Sequence, residues 1–169
     1  SRDNIKDRPA GSLLVEVQPF AVITSKDILV IDTGLGFSMP DGTLQIHYNL
    51  LQAGINPLDV TKVLMSHLHK DHAGGISKED AVLKQKFLSF PNATYIVNKQ
   101  ELEIAVSKLS KSYAIDDVSL LAESDKLQLV ESTGVIDDYI YYEWTGAHSP
   151  WHQAFWIKEN NETVFFGGD

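Results

Sequence analysis

The sequence predicts an α+β fold, a layered sandwich of sheets with helices on the outside. Three observations predict it. Strand-like segments open and close the chain, and helical segments lie between them. The 169 residues, 43% of them hydrophobic, suit a single domain over 1–169; such a chain buries roughly two thirds of its unfolded surface. A polar stretch, Ser66 to Gly75, directly follows the apolar run Val63-Leu64-Met65, as when a rigid sheet presents side chains at a strand end.

Residues 1–11 are polar, carry Pro9 and Gly11, and read as a loose lead-in. Strands are expected over 12–17, 20–24 and 28–31, the last two joined by a Ser25-Lys26-Asp27 turn, forming an antiparallel meander. Residues 43–53 place Leu44, His47, Leu50 and Leu51 at helical spacing, and Gly54 ends that helix. His47 on this face is read as structural. Asn56-Pro57-Leu58-Asp59 is a turn or one helical turn before a strand over 62–65. A polar helix is expected over 78–90, with Val82, Leu83, Phe87 and Leu88 as its apolar stripe, broken by Pro91. After a strand over 94–97, Asn98 caps a helix over 99–109, with Glu101 reaching back as the capping-box acid. A short helix is read over 117–122. Tyr113, in the segment before it, is either substrate-facing or a packed aromatic. The last third returns to strands over 127–130, 139–144, 154–158 and 163–166, with a hairpin turn at Glu159-Asn160-Asn161-Glu162.

Three of the six histidines fall within His67 to His72, and Asp71 lies among them. On an extended backbone His67 and His69 project to one side. Asp71 continues the alternation, and His72 turns to the other side as the chain curls. Ala73-Gly74-Gly75 then removes side-chain bulk, so the backbone can turn closely. The result is two pairs of ligands, enough to begin two adjacent metal sites. Imidazole and carboxylate suit zinc, with iron or manganese as alternatives.

The run His67-x-His69-x-Asp71-His72 resembles the signature of the metallo-β-lactamase superfamily of hydrolases. Ile31-Asp32-Thr33-Gly34, Gly146-Ala147-His148 and Phe165-Phe166-Gly167-Gly168-Asp169 fit that family in order, so the resemblance spans most of the chain. It implies a four-layer αββα fold holding two Zn2+ ions per complete domain. His148 would join His67 and His69 at the first metal; Asp71, His72 and Asp169 would form the second, with Asp169 bridging both. Asp32 would be a buried carboxylate steadying the metal loop, and His152 a supporting or packing histidine. Ala147 and Trp151 depart from the family by standing where glycine is frequent, and Trp151 is bulky enough to wall the pocket. Family domains continue past the aspartate matched by Asp169 with another histidine, further strands and a helix. The expectation is therefore a domain truncated after its fourth metal motif.

The chemistry implied is hydrolysis of an ester-like bond (lactone, ester or thioester) by a metal-bound hydroxide, with Asp71 ligating and handling a proton. Within the family, Asp169 in place of cysteine argues against the β-lactam-hydrolysing members, and His69 in place of glutamate against di-iron redox members. The run Ser66 to Gly75 most resembles acyl-homoserine-lactone lactonases and their broad relatives. The rival expectation is a non-catalytic metal-binding or protein-interaction domain. A net charge of −9 disfavours nucleic acid and anionic membranes, leaving a small-molecule substrate as the expected partner, with homo-oligomerisation left open. The absence of cysteine excludes disulfides and a Cys nucleophile. No apolar run reaches transmembrane length, and Ser1-Arg2-Asp3-Asn4 opens no signal peptide, so the expected location is cytoplasmic unless a leader was removed.

Overall fold

The computed structural model describes residues 10, 17–80, 82–107 and 110–169. The strand expected over 12–17 lies outside these residues except for Val17, which is irregular. Alternating and β-branched runs make the first sheet. Strands β1 (Phe20–Ile23), β2 (Ile28–Ile31), β3 (Lys62–Leu64), β6 (Thr94–Asn98) and β7 (Leu127–Val130) lie side by side in the order β1-β2-β3-β6-β7. Only β1 and β2 pair antiparallel; β2, β3, β6 and β7 run parallel. Parallel strands are covered on both faces, which is why the buried residues of β2, β3 and β6 are apolar up to Asn98, where β6 gives way to a helix.

The second sheet is antiparallel and holds β8 (Thr133–Ile136), β9 (Ile140–Trp144), β10 (Gln153–Glu159) and β11 (Glu162–Phe166), in the order β11-β10-β9-β8. Asn160 and Asn161, with φ of 51° and 65°, form the two-residue turn that joins β10 to β11. The two sheets meet through Leu29, Ile31, Leu64 and Ile96 on one side and Ile140, Phe155 and Ile157 on the other. Each such buried side chain stabilises the fold by about 1.5–3 kcal/mol. Val30, Val63, Met65, Tyr95 and Val97 point the opposite way, toward α1 (Gln45–Gln52), α3 (Lys99–Val106) and α4 (Ile115–Ala122). Helices, sheet and sheet are thus stacked as three successive layers of the expected αββα order. Among the described residues the outer face of the second sheet is open, with Val135, Tyr141 and Phe165 exposed.

One predicted element is replaced. Residues 78–90 do not form a helix; Ser77–Glu79 (β4) and Lys86–Leu88 (β5) pair as a hairpin, and Val82, Leu83 and Phe87 are exposed. Asp80 decides this. Its carboxylate accepts from the Val82 and Leu83 amides, both at 2.8 Å, and Lys84 enters the left-handed region at φ 53°. A local side-chain acceptor outcompetes the helical ladder. The helix expected over 117–122 starts two residues earlier, at Ile115, and Leu109, the expected end of the preceding helix, lies outside the described residues. No helix among the described residues is long and apolar enough to cross a membrane.

Candidate metal centre

The carboxyl ends of β2 and β3 supply one wall of the site. Beyond β3 the chain runs Ser66-His67-Leu68-His69 and then turns into a single helical turn, α2 (Lys70–Ala73). That turn swings His72 back beneath the strand ends, where its ring lies 4.2 Å from that of His67. The second sheet supplies the other wall: His148 from the loop between β9 and β10, and Asp169 after β11. His67, His69 and His148 each bring a donor atom to within 4.8 Å of the others, and so do Asp71, His72 and Asp169. All six predicted residues therefore meet in one cluster. Asp169 spans the two groups, with Oδ1 3.2 Å from His72 Nε2 and Oδ2 3.7 Å from His148 Nε2.

The donor atoms fit a cation. Nδ1 of His69 and Nε2 of His148 face each other at 3.0 Å. Nε2 of His67 and of His72 are buried without a hydrogen-bond partner, an arrangement that costs free energy unless something else satisfies them. Burial, then the neighbouring His72, His69, His152 and His148 rings, push His67 down to about 2, so it stands as the neutral imidazole a metal requires. Burial works against charging His72 as well, but the hydrogen bond to Asp32 prevails and holds it above the usual value.

Asp32 organises the buried side. It is 1% exposed and takes φ 57°, a strained conformation for a residue with a side chain. Its carboxylate accepts from the Ser66 amide and hydroxyl, both at 2.7 Å, and from His72 Nδ1 at 2.8 Å. The Ser66 hydroxyl also meets His67 Nδ1 at 3.0 Å. Since that hydroxyl donates to Asp32, it accepts from His67, and both histidines present Nε2 lone pairs to the cluster. Glycines let the loops close around this arrangement. A Cβ at Gly36 would collide with the Gly74 carbonyl, and one at Gly74 would stand 2.5 Å from the Leu35 oxygen.

The neighbouring histidines and aromatics have their own places. His152 is buried, with Nδ1 2.7 Å from the Thr145 hydroxyl and its ring 5.3 Å from that of His67, outside both donor groups. His47 packs edge-on against Phe90 on the far side of the first sheet. Tyr113 is buried with its ring 5.0 Å from that of His69, and Trp151 stacks on Trp144. There are two further clefts, and the first opens onto the cluster. One of about 300 Å³ is lined by Gln18, Phe20, His72, Phe166 and Asp169; one of about 650 Å³ includes Lys70, Lys78, Tyr113 and Asp116.

Glu101 is a correction to the sequence reading. Asn98 does cap α3, accepting from Gln100 at 3.0 Å and Glu101 at 3.2 Å, but Glu101 does not complete a capping box. Its carboxylate instead accepts from the Leu68 amide at 3.1 Å and the Ser149 hydroxyl at 3.0 Å. The buried Leu68 N–H lies between His67 and His69 and needs an acceptor there. Its only signal in the sequence is an acid in the first turn of a helix that follows a central strand.

The comparisons with known proteins agree with this geometry. The Metallo-beta-lactamase superfamily model matches residues 15–169. Over 118 residues the chain is 32% identical to an N-acyl homoserine lactonase AttM of Agrobacterium fabrum, covering 64% of this chain and 40% of that protein. A lactonase of the same name from Azorhizobium caulinodans is 32% identical over 115 residues, 62% of this chain and 38% of that one. The chain thus spans less than half the length of these curated relatives. A probable metal-dependent hydrolase from Staphylococcus aureus superposes with a TM-score of 0.73 at 26% identity, covering 89% of this chain and 57% of that one. AidC, a dizinc quorum-quenching lactonase, has the same fold at a TM-score of 0.67 and 23% identity, with 87% and 54% covered. By a family match that runs from Val15 to Asp169, the chain belongs to the metallo-beta-lactamase superfamily.

Proposed function

We propose that this chain is the metal-binding part of a hydrolase that opens an ester-like bond, a lactone foremost, and that residues 1–169 form one domain. The observation that carries this reading is the convergence of His67, His69 and His148 with Asp71, His72 and Asp169 at facing sheet ends. The 32% identity to AttM lactonases supports the substrate class.

His67, His69 and His148 would hold one cation and Asp71, His72 and Asp169 a second, with Asp169 shared. Zinc suits the nitrogen-rich first set, and two ions suit six donors. Bound zinc would lower the pKa of a coordinated water from about 15.7 toward about 7 and polarise the substrate carbonyl. The chain's own groups do the remaining work. Asp32 and Ser66 fix the tautomers of His72 and His67, so the donor atoms need no rearrangement. Asp71 is half-buried, with Oδ2 3.9 Å from His72 Nε2; its carboxylate can accept a proton and return it to the leaving alkoxide. No Ser or Cys nucleophile is required. The cleft lined by His72 and Asp169 offers room for a small-molecule substrate beside the cluster.

The complete zinc-loaded protein, assayed on lactone, thioester and phosphodiester substrates, should turn over the lactone. Asp71→Asn should lower kcat by about 10²–10⁴-fold, an effect far larger than its effect on the thermal midpoint. Undiminished turnover in that variant would remove Asp71 from the proton-handling role, and absence of hydrolysis across all three substrates would defeat the hydrolase reading.

A further inference from the structure

Glu101 is 1% exposed and pairs with no Lys or Arg among the described residues. A buried carboxylate with no counter-ion is costly unless hydrogen bonds and a nearby positive charge compensate it. The hydrogen bonds are present, and they go to particular places. Leu68, whose amide binds Oε1, is the residue between His67 and His69. Ser149, whose hydroxyl binds Oε2, is the residue after His148. The Tyr113 hydroxyl faces the same carboxylate, and the Tyr113 ring packs on His69. One side chain from α3 therefore grips both loops that carry the first ligand set, one from each sheet.

We propose that Glu101 is a positioning residue that sets the separation of His69 and His148, and that the cation held by the first ligand set supplies its missing counter-charge. This rests on reading His67, His69 and His148 as ligands of one cation. Asp32 serves His67 and His72 from below; Glu101 serves His69 and His148 from the side. The two buried carboxylates divide the centre between them.

The test is zinc titration of the full chain against a chromophoric chelator, in two backgrounds. In His72→Ala, where the first ligand set remains whole, Glu101→Ala should weaken zinc binding by about 10–100-fold and shift the visible bands of the cobalt-substituted protein. Glu101→Gln, which keeps an acceptor for the Leu68 amide, should restore part of the loss. Ser149→Ala, which releases only the His148 loop, should give a smaller loss. In His148→Ala, where the first set is broken, Glu101→Ala should leave the remaining zinc within about twofold, as for an independent position. Equal losses in both backgrounds would make Glu101 a general structural residue and overturn the proposal, as would unchanged affinity in His72→Ala. Should Glu101→Ala fail to fold by circular dichroism, Glu101→Gln and Ser149→Ala decide, and wild-type affinity in both overturns it. A wild-type chain that binds no zinc would instead defeat the ligand reading beneath it.

Discussion

Strand β2 is bracketed by two aspartates, and its two ends are built on opposite principles. At the amino end Asp27 accepts from Lys62 Nζ at 2.7 Å, from the Thr61 hydroxyl at 2.6 Å and from the hydroxyl of Tyr139 in the turn between β8 and β9. Lys62 in turn reaches Asp137 at 3.0 Å. Charge and hydrogen bonds close on themselves there. At the carboxyl end Asp32 has no Lys or Arg partner among the described residues, and the histidines it supports leave their buried outer nitrogens without a hydrogen bond, with only the Asp169 carboxylate 3.2 Å from that of His72. The same residue type on the same strand makes a self-sufficient joint at one end and an unmet demand for a cation at the other. That is the usual division of a parallel sheet, whose carboxyl ends carry the ligand.

The largest expected effect tests the demand itself. Zinc at a thousandfold excess over its Kd should raise the unfolding free energy by about 4 kcal/mol, read as a shift in denaturant midpoint that EDTA reverses. An unmoved midpoint would mean the carboxyl end is already self-sufficient, and the contrast would fail. Next, Asp32→Asn should lower zinc affinity by about 10–100-fold, measured by chelator competition. A variant that keeps wild-type affinity would show that the histidine tautomers need no such anchor. The smallest effect belongs to the other end. Asp27→Asn should cost about 1 kcal/mol of stability and leave zinc affinity within about twofold.

That last effect has a pH signature. Burial raises Asp27, but hydrogen bonds from Lys62, Thr61 and Tyr139 outweigh it and hold the carboxyl below its ordinary 3.8. The unfolded chain then binds the proton first, so the contribution of Asp27 is present above that value and fades as pH falls through it. The stability gap between wild type and Asp27→Asn should be constant above about pH 5 and narrow in acid. A gap that widened in acid would contradict the assigned direction.

The sequence made the centre legible in proportion to how local its signals are. His67, His69, Asp71 and His72 declare themselves because four donors share one strand end. His148 and Asp169 are legible only through the order of motifs, since the sandwich brings them across from the other sheet. Glu101 was hidden because two roles share one position: its place in a first turn reads as capping, while the buried Leu68 amide claims its oxygen. Strand β8 was missed for a similar reason. Gly134 weakens its strand pattern, and it leaves the space that the end of the Tyr142 side chain occupies, a packing role that propensity does not record. Residues 78–90 misled in the opposite way, offering an apolar stripe that the Asp80 turn leaves exposed.

The close contact of the Gly36 and Gly74 loops has an entropic consequence. Thr33 donates its amide to the His72 carbonyl at 2.7 Å, and Gly75 donates to the Gly34 carbonyl at 3.2 Å, so the loops after β2 and α2 are sewn together mainly through backbone, with the Thr33 hydroxyl adding a bond to the His72 carbonyl at 2.9 Å. Main chain held by main chain has no rotamers to freeze. Glycine loses more backbone freedom than any other residue when it is fixed, and here that loss falls entirely at folding. What remains to be ordered when a cation arrives is small, and affinity rises by the disorder that was removed beforehand.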